Sequence, residues 1–395
     1  MPTHLVARAL SVGLAVLLAA TPSAAQEGER APRGLVEAPG DGIQIGARDA
    51  DWSMRIRARV MLLLETGDLA EPDVEARVRR GRISLEGAII DRHVRYRLQL
   101  GLALDDMEAD DEGHPRASPL LDAWVELEHL RDLRIRVGQY VLPFARERIV
   151  SSSRFALVER NPVGEELGLD RDVGVSLRSE DLFGLDLLRY EAGVSLGDGR
   201  RGDPFDEHGL LWHARLELYP LGLFDSYVEN DVDCEDEPRL AIGVGWAFVD
   251  EAPFDRGVEG RVPEDGGTTD LYQGVADLIV LWRGVSFAAT FAARRGDRDA
   301  GDASAAVSAP RDGWGASVQL GWVVPWAPLA IAARFAALEP FSLPSSLPRS
   351  REVASGLSWY FAGDPVKLQA DVVVRWGDEL PDPATELRVM FQGSI

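Results

Sequence analysis

Long segments in which apolar and polar residues alternate constrain the fold of this chain more than any other feature of its sequence. In the first of them, every even position from Trp52 to Leu64 is apolar, and Arg55, Arg57 and Arg59 occupy odd positions between them. An alternation with period two places the two sets on opposite faces of a β-strand, whereas a helix would distribute the arginines around its circumference. The pattern predicts strands with one apolar and one cationic face.

Segments of this kind recur from about residue 51 to the C-terminus, and we count sixteen of them. They lie near residues 52–65, 74–90, 93–105, 119–129, 131–141, 172–180, 185–196, 209–219, 238–249, 269–282, 284–294, 312–323, 328–338, 351–361, 365–376 and 385–395. Short connections such as 91–92 alternate with long polar ones such as 105–118, 142–171 and 377–384. This arrangement is typical of barrels in the bacterial outer membrane. The sequence therefore predicts an all-β fold, a transmembrane antiparallel β-barrel of about 16 strands over residues 51–395.

Two places depart from the regular pattern. The alternation changes parity at Arg80-Gly81, which we interpret as a β-bulge. The connection 220–237 is long where a short turn is due, so either the strand order changes phase there or a periplasmic extension exists. The sequence leaves both explanations open.

A soluble all-β protein, such as a sandwich or a propeller, is the competing fold. The predicted strands, many of 10 to 14 residues, are longer than the roughly 5–6 residues usual in globular sheets. Tryptophan also favours the barrel, because rings near strand ends lie at the level of lipid headgroups. The tryptophans near predicted strand ends are Trp246, Trp282, Trp322, Trp359 and Trp376.

The N-terminus predicts export. One arginine precedes the apolar run from Ala9 to Ala20, which is too short to span a bilayer as a helix, and Ser23 and Ala25 fit the small-x-small pattern of a cleavage site. We therefore predict a signal peptide over residues 1–25, a flexible periplasmic segment over 26–50, and localisation in the outer membrane of a Gram-negative cell.

Composition narrows the possible partners. The formal net charge of -23 at pH 7 argues against nonspecific binding of nucleic acid. Cys234 is the one cysteine, so no internal disulfide can form, and the acidic run around it is interpreted as a solvated loop rather than a metal site. Acidic residues concentrate in predicted external segments such as 105–112, which suggests a hypothesis of divalent cations shared with lipopolysaccharide. No cofactor or metal site is predicted.

The connection 142–171 and its flanks carry a motif. The preceding strand ends in a Gly-x-x-x-x-Pro-Phe-x-x-Glu sequence, the loop contains Glu-Arg, and the next strand opens with Arg-Asp-x-Gly. The residues concerned are Gly138, Pro143, Phe144, Glu147, Glu159, Arg160, Arg171, Asp172 and Gly174. This order and spacing resembles the phosphate-selective porin O and P family, with similarity expected from about residue 51 to the C-terminus.

The resemblance implies a sixteen-stranded, usually trimeric channel lined by arginines and tuned for anions such as phosphate. It identifies 142–171 with the third external loop, which in such barrels commonly folds inward and narrows the pore. Members that select phosphate also use a cluster of lysines, whereas this sequence offers only Lys367. The resemblance therefore implies an anion channel without fixing phosphate as its solute.

The predicted function is passive diffusion of small hydrophilic solutes through an arginine-lined pore, because a ring of fixed positive charge lowers the barrier for anions. The predicted partners are small anions or other small solutes, outer-membrane lipid and lipopolysaccharide, and two further copies of the chain. The predicted pore-lining and anion-binding residues are Arg55, Arg57, Arg59, Arg77, Arg79, Arg95, Arg97, Arg134, Arg136, Arg146, Arg148, Arg154 and Arg160. An alternative is that these arginines pair across the lumen with Glu86, Glu126, Glu128 or Glu147.

Two other functional classes remain. A lipid hydrolase in the outer membrane would need a serine and a histidine within reach of each other. His213 is the one histidine predicted to point inward from a strand, and it is flanked on that face by Arg215 and Glu217. We interpret His213 as lumen filling and predict no catalytic residue. A structural barrel plugged by its own loop is the third class.

Overall fold

The computed structural model describes residues 39–45, 52–69, 73–90, 93–108, 114, 116–200, 209–299, 301, 309–341 and 344–395. The predicted signal peptide over 1–25 lies outside the described residues, as does most of the predicted flexible segment over 26–50.

Seventeen strands are present in the described residues, and sixteen of them form the barrel wall. The strands are β1 (Ile43–Ile45), β2 (Ser53–Thr66), β3 (Val74–Ile89), β4 (Val94–Gly101), β5 (Leu120–Leu130), β6 (Leu133–Val141), β7 (Arg171–Ser179), β8 (Leu188–Ser195), β9 (Leu211–Leu218), β10 (Arg239–Ala252), β11 (Thr268–Trp282), β12 (Val285–Asp299), β13 (Gly313–Val323), β14 (Leu329–Pro340), β15 (Ser350–Tyr360), β16 (Val366–Gly377) and β17 (Leu380–Ser394). Each of the sixteen predicted strands is confirmed, in the predicted order.

The sheet closes on itself. From β2 to β17 each strand pairs antiparallel with its neighbours along the chain, and β17 pairs with β2, with Ser394 opposite Arg59. Closure leaves no long unpaired edge. Strand β1 pairs with β2 at Ile43 opposite Ile56, on the part of β2 that β17 does not reach. The prediction of a flexible segment throughout 26–50 is therefore wrong at β1.

The predicted β-bulge is confirmed, one residue before the predicted position. Met61 on β2 pairs with Arg80 on β3, but the next residue, Leu62, pairs with Val78, so Arg79 is the extra residue. A bulge shifts the alternation by one position. Inward-facing residues of β3 are therefore odd-numbered before Arg79 and even-numbered after it.

The barrel wall has an apolar outer face and a polar inner face. Outward side chains such as Leu62, Val244 and Leu320 are about half exposed, whereas inward ones such as Asp277 and Arg294 are buried. Four of the five tryptophans lie at or near strand ends as predicted, but Trp246 lies in the middle of β10.

The connections define two ends of the barrel. The short-turn end contains connections such as 283–284 and 361–365, and the long-loop end contains connections such as 102–119 and 142–170. The predicted long loop at 377–384 is wrong, because β17 begins at Leu380 and only Asp378 and Glu379 separate it from β16.

The connection 142–170, called here the 142–170 segment, contains two short α-helices and a 3-10 helix at Ser152–Arg154. The α-helices are α1 (Arg146–Ile149) and α2 (Pro162–Leu167). Helix α2 begins where Asn161 accepts a hydrogen bond from the Val163 amide at 2.9 Å, with proline at the first helical position. None of the helices in the described residues is long and apolar enough to cross a membrane.

Candidate pore

The 142–170 segment packs its apolar side chains against apolar side chains of the barrel strands. Five of its large apolar side chains are buried in one cluster, namely Leu142, Phe144, Val163, Leu167 and Leu169. Their partners on β9 to β14 are Leu211, Ala247, Val249, Ala252, Leu271, Val275, Ala292, Ala336 and Leu338. Each large apolar side chain buried in this way stabilises the contact by about 1.5–3 kcal/mol.

The second half of the segment continues along the wall toward β2. Leu157 packs with Ala332, Ala354 and Val373, and Val158 packs with Met61, Leu63 and Met390 on β2 and β17. These contacts cover the side of β9 to β17 and leave most of β3 to β7 without apolar contact from the segment.

Buried polar groups fix the position of the segment. The Val158 amide donates to Asp371 Oδ2 at 2.9 Å, and Arg388 donates to the other oxygen of that carboxylate at 2.8 Å. Lys367 Nζ donates to the Phe155 carbonyl at 2.9 Å. The buried charges of Asp371, Arg388 and Lys367 thus have hydrogen-bond partners, as low-dielectric surroundings require.

The long connection that interrupts the regular pattern runs from Tyr219 to Pro238 and is called here the 219–238 segment. The strands on either side of it, β9 and β10, pair with each other in the predicted order, so the strand phase is unchanged. Leu223, Phe224 and Val228 pack against buried side chains of β10 and β11. Ala156 N of the 142–170 segment donates to Glu229 Oε2 at 2.9 Å. Of the two predicted explanations, a change of strand phase is therefore wrong, and the connection is an extension at the short-turn end that packs against the barrel and the 142–170 segment.

Two cavities lie beside these segments. The short-turn cavity, of about 530 Å³, is lined by Arg57 and by residues of the 219–238 segment. The long-loop cavity, of about 430 Å³, is lined by Arg79, Arg80 and residues of several long connections. Five residues line both cavities, namely Arg59, Arg82, Arg97, Gln99 and Ser151. The two cavities therefore meet where the wall of β2 to β4 faces the 142–170 segment.

Three arginines project into this junction. Arg59 Nη1 donates to Ser151 Oγ at 3.0 Å, and Arg59 forms no ion pair with a carboxylate of the described residues. Arg82 pairs with Asp106 at 2.7 Å, and Arg97 pairs with Asp122 at 3.1 Å. Of these three arginines, Arg59 is therefore the one without a carboxylate partner among the described residues.

The chain is similar to known proteins in part of its sequence and in most of its fold. Residues 65–228 match the sequence model of the phosphate-selective porin O and P family. No curated protein sequence matches the chain. Similar solved structures include the anion-selective porin from Comamonas acidovorans (TM-score 0.59, 11% identity, 87% of this chain and 100% of that one). They also include Salmonella typhi OmpF in complex with daunomycin (0.58, 14%, 87% and 98%) and the trimer form of Vibrio cholerae OmpT (0.56, 11%, 88% and 100%).

The resemblance to the porin O and P family is confirmed over residues 65–228, and the structure places most of its motif residues at the two ends of the 142–170 segment. Gly138 has φ of 127°, and a Cβ there would lie 2.1 Å from the Ala123 carbonyl oxygen. Asp172 accepts from the Gly197 amide at 2.6 Å, and Arg171 donates to Asp122 at 2.7 Å. The motif therefore holds the strand ends from which the segment departs.

Glu159 and Arg160 of the porin O and P motif lie inside the segment. Burial alone would raise the pKa of Glu159, but the charge of Arg79, which donates to it at 3.1 Å, lowers that pKa to about 2. Arg160 donates to the Glu147 carbonyl and stacks its guanidinium 4.9 Å from the centre of the Phe155 ring. Both residues join the segment to its surroundings.

The thirteen predicted pore-lining arginines are distributed unequally. Eight of them line one or both cavities, namely Arg57, Arg59, Arg79, Arg97, Arg136, Arg148, Arg154 and Arg160. Four others lie on the inward face of their strands but outside the two cavities, namely Arg55, Arg77, Arg95 and Arg134. The prediction for Arg146 is wrong, because its guanidinium is buried and donates to the carbonyls of Ser226 and Val228.

The alternative of internal pairing is right for many of these arginines. Glu126 pairs with Arg136 at 2.8 Å, and Glu128 pairs with Arg134 at 2.8 Å. Glu86 pairs with Arg57 at 2.9 Å. It is wrong for Glu147, whose carboxylate accepts from Asn161 at 2.6 Å. Burial raises the pKa of Glu147 to about 7.

Sequence reasoning missed Arg80, Arg82 and Arg178. Arg80 and Arg82 follow the bulge, so they share the inward face with Arg77 although their numbers have the opposite parity. Applying the predicted parity change to the residues after it would have identified both. Arg178 pairs with Glu126 at 3.0 Å, and its position opposite Arg134 on β6 could have indicated the same network.

Acidic residues of the two acidic runs bind arginines and backbone amides of the barrel. Asp105 pairs with Arg77 at 3.1 Å and Asp106 pairs with Arg82, so these two carboxylates of the predicted external run are engaged by arginines of β3. Asp231, beside Cys234, accepts from the Gly284 amide at 2.7 Å. Among the described residues no group of three or more metal-ligating side chains could hold a metal ion.

His213 lies on the inward face of β9, as predicted. Its ring centre is 6.5 Å from that of Tyr140, and neither ring nitrogen has a hydrogen-bond partner in the described residues. Arg215, two residues along the same face, instead binds Asp277 at 2.7 Å and Glu217 at 3.0 Å.

Proposed function

We propose that this chain is an outer-membrane porin through which small hydrophilic solutes diffuse passively, with a preference for anions. The short-turn end faces the periplasm and the long-loop end faces the exterior, as in bacterial barrels generally. The closed sixteen-stranded sheet, with its apolar outer face, supports membrane insertion. The match to the porin O and P family over 65–228 and the similarity to an anion-selective porin support the function.

The single observation that carries the anion preference is the junction of the two cavities. A solute that passes from one cavity to the other passes Arg59, Arg82 and Arg97. A guanidinium remains protonated and offers several donors that replace part of an anion's hydration shell. Because Arg59 has no carboxylate partner in the described part of the chain, its charge acts on the solute.

The 142–170 segment serves in this proposal as the inward-folded third external loop that narrows the pore. Its burial against β9 to β17, together with the anchors at Asp371 and Lys367, supports a position across the lumen. The open path then lies between Ser151 of the segment and the arginines of β2 to β4.

Small anions in general, rather than phosphate alone, are the proposed solutes. Lys367, the single lysine of the sequence, is fully buried and donates to the Phe155 carbonyl and to Asp364 at 3.0 Å. A lysine held in this way does not contact a passing solute. Phosphate therefore has no lysine cluster to select it over other anions.

We further propose a homotrimer in contact with lipid and lipopolysaccharide. The trimer form of the structurally similar OmpT supports the trimer. Asp105 and Asp106 are paired with arginines, so these two carboxylates of the 105–112 run are not free to bind divalent cations. Contact with lipopolysaccharide then rests on the outer apolar face and on other loop residues.

Reversal potential in a planar bilayer under a potassium chloride gradient tests the proposal. We expect an anion preference in the wild type, reduced at least about twofold in Arg59→Gln. Arg95→Gln is the matched control, because Arg95 lies outside both cavities and pairs with Glu128 at 3.1 Å. A cation preference in the wild type, or equal effects of the two variants, would contradict the proposal. Absence of any current would favour the plugged barrel.

The same purified protein tests the second candidate class. If the protein hydrolysed phospholipid and His213→Ala abolished that activity, the channel proposal would require revision. We expect His213→Ala to leave the conductance and the ion preference of the wild type unchanged, because His213 lines neither cavity.

A further inference from the structure

The two cavities differ in the sign of their charged lining. In the described residues, eleven arginines and seven carboxylate side chains line the long-loop cavity. Five arginines and six carboxylate side chains line the short-turn cavity. A solute that crosses the junction at Arg59 therefore moves between a lining with an excess of positive charge and a lining with an excess of negative charge.

The negative charge of the short-turn cavity comes mainly from the 219–238 segment. Four of its acidic residues, Asp225, Asp231, Asp233 and Glu235, line the cavity. The segment is held in place by its own contacts, because Asn230 donates to the Tyr360 hydroxyl at 2.9 Å and Val232 packs beside Tyr360. The acidic side chains are thus presented on a fixed part of the wall.

Three of these four carboxylates form ion pairs or hydrogen bonds within the protein. Asp225 pairs with Arg154, and Glu235 pairs with Arg239 at 3.1 Å. Asp231 accepts from two backbone amides, those of Gly284 at 2.7 Å and Glu235 at 3.0 Å. Asp233 is exposed and has neither a hydrogen bond nor an ion pair with any residue that the structure describes. Its charge is available to a solute.

In the described chain, Asp233 is therefore the one carboxylate of the 219–238 segment that lines the short-turn cavity without a hydrogen bond or an ion pair, and Arg59 lines the same cavity without a carboxylate partner. We propose that Asp233 is a specificity-determining residue of the pore, and that the path favours small solutes carrying both a positive and a negative charge over simple anions of similar size. This inference rests on the proposed channel function.

The physical reason is a difference between the two kinds of solute. A simple anion is attracted at Arg59 but repelled at Asp233, whereas a zwitterion such as an α-amino acid can place its carboxylate toward Arg59 and its ammonium group toward Asp233. Attraction at both walls lowers the barrier for the zwitterion without requiring tight binding, which would slow its exit. Asp233 also limits the anion preference that Arg59 confers.

Asp233→Asn and Asp236→Asn form a matched pair of variants. Both remove one negative charge from the same segment, but Asp236 is exposed and lines neither cavity. Two quantities are measured for each in reconstituted bilayers and proteoliposomes, the anion-to-cation permeability ratio and the fluxes of glycine, glycolate and glycerol. Glycine is the zwitterionic probe, glycolate is the anionic one and glycerol is uncharged.

We expect Asp233→Asn to raise the anion-to-cation permeability ratio about twofold and to lower the glycine-to-glycolate flux ratio by a similar factor. Asp233→Lys should shift both quantities further in the same direction, and Asp236→Asn should match the wild type. Conductance in all variants with equal ratios for Asp233→Asn and Asp236→Asn would overturn this inference and leave the channel function standing. Absence of conductance in the wild type would overturn both.

Discussion

Arg59 on β2 and Arg82 on β3 lie directly opposite each other in the barrel wall, and both line the junction between the two cavities. Like charges in directly opposed positions of an antiparallel pair are destabilising. Arg82 is partly neutralised by Asp106 at 2.7 Å, whereas Arg59 has only the hydroxyl of Ser151 as a side-chain partner in the described residues. The barrel therefore keeps an unfavourable charge pair at the junction of the two cavities, which is the proposed solute path.

Replacing Arg59 with glutamine should separate stability from selectivity. Removal of the opposed charge is expected to leave the free energy of unfolding unchanged or to raise it by about 0.2–1 kcal/mol, while the anion preference falls. Urea unfolding in detergent micelles, followed by tryptophan fluorescence, measures the first quantity, and reversal potential measures the second. A variant that lost both stability and selectivity would indicate that Arg59 has a structural role.

Asp371→Asn should loosen the 142–170 segment. Asp371 accepts from the Val158 amide and pairs with Arg388 in the buried interior, and removing one partner of a buried ion pair costs about 3–5 kcal/mol. We expect increased proteolysis within the segment and a larger single-channel conductance. Glu339→Gln is a control, because Glu339 pairs with the half-exposed Arg349 and Arg351 outside both cavities. Equal proteolysis of the two variants would contradict the anchoring role of Asp371.

The docking of the 142–170 segment should depend on pH through Glu147. Burial raises the pKa of Glu147 to about 7 in the docked segment, above the ordinary value of 4.5 that we expect once the segment is released. The docked state therefore binds the proton more tightly, and docking weakens as the pH rises from about 4.5 to about 7. Above that range no further change is expected.

Protease accessibility of the segment at pH 5 and pH 8 measures this effect. Cleavage should be faster at pH 8 in the wild type and independent of pH in Glu147→Gln, whose amide mimics the protonated carboxyl group. The same pH dependence in Glu147→Gln as in the wild type would assign the effect to another group.

Gly138→Ala should destabilise the end of β6. Glycine at position 138 adopts φ of 127°, which side chains disfavour, and a Cβ would approach the Ala123 carbonyl oxygen to 2.1 Å. Strain of this kind costs on the order of 1–3 kcal/mol. A lower urea midpoint for Gly138→Ala is expected, with Gly274→Ala unaffected because a Cβ at Gly274 would meet no atom within 4 Å and the φ of Gly274 is ordinary. Equal midpoints would contradict this account of Gly138.

The sequence predicted the wall of the barrel well, because alternation with period two is a local property. Each strand can be recognised from its own residues, and even the bulge near Arg79 is visible as a change of parity. The consequence of that change for Arg80 and Arg82 was missed, although it follows from the same rule.

The interior of the barrel was predicted less well, because its contacts join residues far apart in the chain. The pairing of Val158 with Asp371 spans 213 positions, and no local pattern indicates it. The 219–238 segment was recognised as anomalous by its length alone. Arg146 resembles the pore-lining arginines in sequence, but only the position of the Ser226 carbonyl explains why it is buried.

The most direct test of the account is the accessibility of the junction between Arg59 and Ser151 to a charged reagent. In the double variant Cys234→Ser, Ser151→Cys, an anionic methanethiosulfonate reagent should react with the new thiol and reduce the single-channel current, and it should react faster than a cationic reagent of similar size. The single variant Cys234→Ser should be unaffected. Reaction without any change in current, or faster reaction with the cationic reagent, would contradict an anion path past Arg59.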